Sequence, residues 1–345
     1  MILCEAFGQL IDNGVARMAD SMKMLLYHES RYNFDKIEFS HDRAFLEPLL
    51  FLYLNSNKKY PIDNVLSRYF KSVIPINEKI EAKLTDGDLV YLSNGLEVCT
   101  RLHPLWAERF KNNNEIVEVE IEKTTQLHID KLQNAFEIIA IHLPQLHEEI
   151  LKTNRKIVLF YNPNVRCFVT IEAHGMIFLS TIPENDEVFF LEEIIHQCSH
   201  NTFNCVLFGN ESDFFKIDIQ KEILGDFIGN EAERRTIYSA MHGLYTVAKR
   251  YESFEKLIQK NIFVGKNRHE FLGRFGDLKK RFRTGLEKLN HDSIFTERGM
   301  DIYNTLDNFC FEAISRIDEN QIDFDFSNQP AEFSYSKFLE LNPLS

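Results

Sequence analysis

His196 and His200 carry the clearest chemical signal in this chain, in the run Leu191-Glu-Glu-Ile-Ile-His196-Gln197-Cys198-Ser199-His200. Residues four apart on a helix lie one turn apart on one face, so two imidazoles at this spacing can reach one metal ion. That geometry underlies the HExxH metal sites. With 12 histidines in the chain, an HxxxH pair also arises by accident, and two core histidines are the plainer reading. Position 197 narrows the chemistry. In zinc peptidases the glutamate of HExxH takes a proton from metal-bound water. Gln197 is a neutral amide and cannot do so. Glu192 and Glu193 are near in sequence but do not occupy the position of that base. Hydrolysis is therefore disfavoured against a metal reaction that needs no protein base.

Two imidazoles alone hold a metal weakly, so a third ligand is required. His242, in Arg235-Thr-Ile-Tyr-Ser-Ala-Met-His242-Gly243-Leu-Tyr245, is one candidate on an apolar, helical run. A core histidine bonded to a carbonyl is the alternative reading of it. Glu222 and Asp226 are further candidate ligands, by their distance downstream of His200. Arg235, two helical turns before His242 on this reading, is a cation able to grip a carboxylate through two parallel hydrogen bonds. Arg281 and Arg283 stand in reserve, in a basic run that usually marks a solvated face. Asn204, one turn beyond His200, and Gln197 are placed to orient a ligand from behind. Cys198 falls on a different face and reads as packing. No phosphate-binding glycine loop, dinucleotide fingerprint or serine nucleophile elbow is present.

These residues need elements to position them. Leu10, Ala16, Met18, Met22, Leu25 and Leu26 recur at helical spacing, and Leu46 to Leu54 suggest a second, buried helix. Pro61 and Pro75 interrupt the pattern. Strands are expected at Asp88–Leu92, Ile116–Ile121, Lys156–Phe160, Cys167–Ile171 and Met176–Ser180, the second alternating most cleanly. A helix is expected over Leu127–Leu151, bent at Pro144. Five more are expected near 187–208, 218–228, 232–260, 268–289 and 297–316, followed by an irregular tail after Asp318. The expected fold class is α+β: mostly helical, with a small mixed or antiparallel sheet mid-chain and the metal site on a long helix of the C-terminal half. Three regions are expected, 1–85, 86–183 and 184–345, within one compact domain or as separate parts.

The formal net charge of −13 argues against nucleic acid as a partner and favours a basic or flexible peptide. No stretch is apolar enough to span a bilayer, and the first residues do not read as a signal peptide. The six cysteines lack zinc or redox spacing and read as thiols in a reducing cytoplasm.

The run from Glu193 to Asn204, with Phe178-Leu-Ser180 before it, Arg235 and His242-Gly243-Leu-Tyr245 after it, and Phe295-Thr-Glu-Arg-Gly299 further on, resembles the HExxH-motif peptide-modification proteins. The resemblance covers roughly residues 175 to 305. It implies an iron(II)- and 2-oxoglutarate-dependent peptide β-hydroxylase, using O2 and acting on a ribosomally made precursor peptide. It implies His196, His200 and His242 as metal ligands and Arg235 as the cation for 2-oxoglutarate. This chain departs from the pattern at Gln197, where the family has glutamate. A three-histidine set also differs from the two histidines and a carboxylate usual for this chemistry. A zincin-like metallohydrolase, inactive if Gln197 is decisive, and a non-enzymatic helical interaction protein are the competing expectations.

Overall fold

The computed structural model describes residues 3–29, 45–55, 89–112, 115–316, 324–330 and 332–344. Pro61 and Pro75 lie outside the described residues. The chain divides into two units: Gly8–Phe208, and a second made of the residues up to Phe7 with Gly209–Ser345. The fold is α+β, largely helical with a small mixed four-stranded sheet in the middle of the chain.

The first unit holds most of α1 (Leu3–Glu29), then α2 (Pro48–Asn55), β1 (Leu89–Tyr91), β2 (Glu97–Cys99), α3 (Pro104–Ala107), β3 (Lys111–Asn112), β4 (Glu115–Ile116), α4 (Glu122–His142), α5 (Pro144–Thr153), β5 (Lys156–Phe160), β6 (Met176–Ser180) and α6 (Glu187–Leu207). The sheet order is β1-β2-β5-β6. β1 pairs antiparallel with β2, while β2–β5 and β5–β6 are parallel. β5 is buried at every residue and β6 at all but Ser180. Such continuous apolar runs belong to parallel strands covered on both faces. Alternation assigns the faces. Val158, Phe160, Met176 and Phe178 join a core with α2, Trp106 and Phe110. Ile157, Leu159, Ile177 and Leu179 point the other way, where α4 packs on β5 and α6 packs on β6. The bend expected at Pro144 is a break: Leu143 separates two helices, and Pro144 opens the second.

Ile116–Ile121 does not form the expected strand. Only Glu115–Ile116 pairs, with Lys111–Asn112. Beyond it the chain stays extended, Val117 and Val119 pack on the Trp106 core, and Glu120 bridges Tyr161. The alternation is real, but it marks an extended segment laid on a core. Cys167–Ile171 likewise reduces to one bridge, Phe168 with Phe178, before a 3-10 turn at Ile171–Ala173.

The second unit holds α7 (Glu211–Phe214), α8 (Leu224–Ile228), α9 (Ile237–Lys260), α10 (Gly265–Leu289), α11 (Glu297–Ser315) and α12 (Tyr335–Leu341). The helix expected over 218–228 shrinks to five residues. Before it, the Lys221 amide bonds the Asp218 carbonyl in a turn and Ile223 bridges Thr236, and at Gly225 a Cβ would stand 2.4 Å from the Glu233 carbonyl oxygen, so the returning chain lies against this turn. The tail is not wholly irregular. Ser334 caps α12 through the Lys337 amide, and Phe338 is buried. The Thr296–Gly299 pair has a structural account. Thr296 accepts the Gly299 amide hydrogen at 3.1 Å to cap α11, and a Cβ at Gly299 would fall 1.8 Å from the Phe214 carbonyl oxygen. None of the six cysteines is in a disulfide. Among the described residues no helix is long and apolar enough to cross a membrane.

His174, fully buried at the end of the 3-10 turn, makes the first unit acid-sensitive. Burial pushes its imidazole down to about 4. The folded state therefore binds this proton less readily than the unfolded chain. Its contribution to stability is complete above about pH 6.5 and is lost as pH falls towards 4, by about 3 kcal/mol. Urea unfolding at pH 7, 5.5 and 4.5 measures this. His174→Gln should flatten the fall across that window. Equal slopes in the two proteins would place the acid sensitivity elsewhere.

Candidate metal-binding helix

α6 begins where Asp186 accepts hydrogen bonds from the Val188 and Phe189 amides, at 3.1 and 3.4 Å. Sixteen of its 21 residues are buried. After Glu187 in the first turn, the partly exposed residues are Phe189, Glu193, His196 and His200. Their steps of four, three and four trace one stripe along the helix. The two histidines and one glutamate therefore share the open line of an otherwise enclosed helix.

On that line the His196 and His200 Nε2 atoms stand 3.3 Å apart. Two nitrogens each about 2.1 Å from one ion, on adjacent vertices, stand roughly 3.0–3.4 Å apart. The separation of the pair matches two neighbouring positions of one metal ion. An N–H···N contact between the rings has the same separation. Among the described residues no group of three or more His, Cys, Asp and Glu side chains is placed to hold a metal.

Glu193 and Gln197 control the outer nitrogen of His196. Gln197 donates to Glu193 Oε2 at 3.0 Å, and its amide nitrogen lies 3.3 Å from His196 Nδ1. Glu193 Oε2 is 3.8 Å from the same Nδ1. In this arrangement Nδ1 accepts, leaving the proton on Nε2. Metal binding requires the other tautomer, with Nδ1–H facing an acceptor. Glu193 and, after an amide flip, the Gln197 oxygen are the acceptors at hand. Gln197 is only 3% exposed, a position where a neutral amide is cheaper than an ionised glutamate. Asn204 is buried on the same helix, one turn past His200, and Cys198 is buried on its closed side. Burial pushes the Cys198 thiol well up, which fits packing and not nucleophilic use. Sequence reasoning set Glu193 aside. Its position three residues before His196, on the same face, was the available signal.

His242 and Arg235 belong to the second unit. His242 is 5% exposed on α9, with its ring 4.3 Å from that of Tyr238. Burial pushes its imidazole down to about 3, so it is neutral at ordinary pH. Arg235 is not helical, contrary to the two-turn spacing expected. α9 starts at Ile237 behind the Thr236 cap, and Thr236 bridges Ile223 in an extended segment. Its guanidinium lies by Gly243, the residue after His242: Arg235 Nη1 would be 3.8 Å from a Cβ there. It grips Glu233 through Nε and Nη2 at 2.8 and 2.7 Å. That grip, with Lys288, holds the Glu233 carboxyl down to about 2. Arg281 bonds Asp277 and the Pro330 carbonyl, and Arg283 is exposed on α10. Glu222 and Asp226 are exposed on the second unit. No protein-family model and no curated protein matches this chain.

Proposed function

We propose that this chain is an iron(II)- and 2-oxoglutarate-dependent oxygenase that hydroxylates a side-chain β-carbon of a ribosomally made precursor peptide in the cytoplasm. The observation that carries the metal-binding part is the convergence of His196 and His200 Nε2 on the open stripe of α6. The oxygenase class, His242 as third ligand and Arg235 as the cosubstrate's cation come from the sequence resemblance. When bound, iron with 2-oxoglutarate supplies the oxygen activation. The protein's part is placement. His196 and His200 offer two lone pairs from a helix fixed by its own burial. With the Nε2 lone pair turned to a metal, the His196 Nδ1 proton would be held by Glu193 and a flipped Gln197 amide, which would orient the ring. Arg235 is held through Nε and Nη2 by Glu233, so a 2-oxoglutarate carboxylate would take the place of that side chain. The net charge of −13 favours a basic peptide. The neutral Gln197 counts against hydrolysis.

The test is an anaerobic Fe(II) titration with 2-oxoglutarate, followed by the weak visible charge-transfer band of the chelate. Wild type should develop the band. His196→Ala and His200→Ala should lose it, with affinity down by about a hundredfold or more. His242→Ala should lose it as well; a band retained there removes His242 from the ligand set. Tight zinc binding without a band would replace the oxygenase reading by a metallohydrolase-like one. Absence of any metal binding would leave a hydrogen-bonded histidine pair and end the proposal.

A further inference from the structure

Behind the histidine stripe, the first unit gathers three soft or nitrogen donors that the proposed function does not use. Cys205 on α6, His174 after the 3-10 turn and Met18 on α1 are 0%, 0% and 2% exposed. Cys205 Sγ lies 3.6 Å from His174 Nε2 and 4.0 Å from Met18 Sδ. Cys205 is nine residues beyond His196, which is 900° or half a turn around the helix, so it faces away from the stripe. The close approach has a cause in the sequence. Gly14 lets α1 rest on the Cys205 backbone, and Met18, one turn on, falls over its sulfur.

We propose that Cys205, His174 and Met18 form a binding site for one soft monovalent cation, of which Cu(I) is the physiological example. An ion held in a plane at about 2.0 Å from nitrogen and about 2.3 Å from sulfur spaces N and S roughly 3.7 Å apart, and two sulfurs roughly 4.0 Å apart. The observed separations are close to both. Thiolate and thioether donors select Cu(I) over harder ions. Charge points the same way. On binding, the Cys205 thiol proton leaves to solvent, and one thiolate with one monovalent cation gives a neutral unit. A divalent ion would leave a net positive charge in a site with no exposed surface, at high desolvation cost. His174 Nε2 contributes a lone pair while Nδ1, a buried atom with no hydrogen-bond partner, keeps its hydrogen.

The experiment is an anaerobic Cu(I) titration of the full chain, reduced with a phosphine, against the colorimetric chelator bicinchoninate. Wild type should hold one equivalent after equilibration and show near-ultraviolet sulfur-to-copper absorption. Cys205→Ser should lose both. Met18→Leu, nearly isosteric, should keep its thermal unfolding and lose at least tenfold in affinity. His200→Ala should hold copper as wild type does, and Met18→Leu should keep the Fe(II) behaviour of wild type. The two sites can therefore fail separately. Failure of wild type to retain copper, retention undiminished in Cys205→Ser and Met18→Leu, or loss in His200→Ala would each overturn the proposal.

Discussion

Lys156→Met should lower the free energy of unfolding by about 3–5 kcal/mol, as seen by urea denaturation near pH 7. Lys156 lies within β5 with its side chain 5% exposed, bonded to Glu97 and 2.9 Å from Glu47 Oε1. Glu97 is its direct neighbour across the parallel β2–β5 pairing. Burial alone would lower the lysine's pKa, but the two carboxylates raise it above its ordinary value. The ammonium therefore stays charged. Removing it leaves Glu47 and Glu97, 2% and 7% exposed at the side chain; among the described residues Arg155 stands 3.9 Å from Glu97. An uncompensated buried charge costs far more than the pair contributed. Replacing Lys156, Glu47 and Glu97 together by apolar residues should recover most of the loss. A single-variant loss below about 1 kcal/mol would mean that water reaches this group.

Gly14→Ala should cost about 3 kcal/mol, against a gain of up to about 1 kcal/mol for Gly8→Ala on the same helix. Both glycines lie inside α1, where alanine is the better helix former. They differ in surroundings. A Cβ at Gly14 would stand 1.8 Å from the Cys205 carbonyl oxygen, a backbone atom that cannot swing away, whereas one at Gly8 meets nothing within 4 Å. Similar unfolding midpoints for the two variants would show that α1 does not press on α6 in solution.

Much of what positions the histidines was legible in the sequence. α6 was expected at 187–208 and spans Glu187–Leu207, because an aspartate cap and a long apolar run define a helix locally. β5 and β6 fell on the expected residues, since each carries an unbroken run of four apolar residues that reads as a covered strand. β2 was missed. Three residues carry too little pattern, and its place depends on β1 and β5 from distant parts of the chain. The four-residue spacing gave the His196–His200 convergence. It could not give which side of α6 stays open, because that is decided by α1, α4, α5 and β6. Glu193 was undervalued for that reason. Arg235 was misplaced because the Thr236 cap and the Ile223 bridge let the helix begin only at Ile237, after it.

The enclosure of α6 separates the inheritance of shape from the inheritance of chemistry. Substitutions on its closed sides change packing and are filtered by folding. Substitutions at Phe189, Glu193, His196 and His200 alter what the helix offers to its surroundings and leave most of the core untouched. Relatives of this chain could therefore change the side chains along this one line while keeping the same scaffold. Position 197, on the enclosed flank, answers to both constraints and should change only together with the residues that cover it.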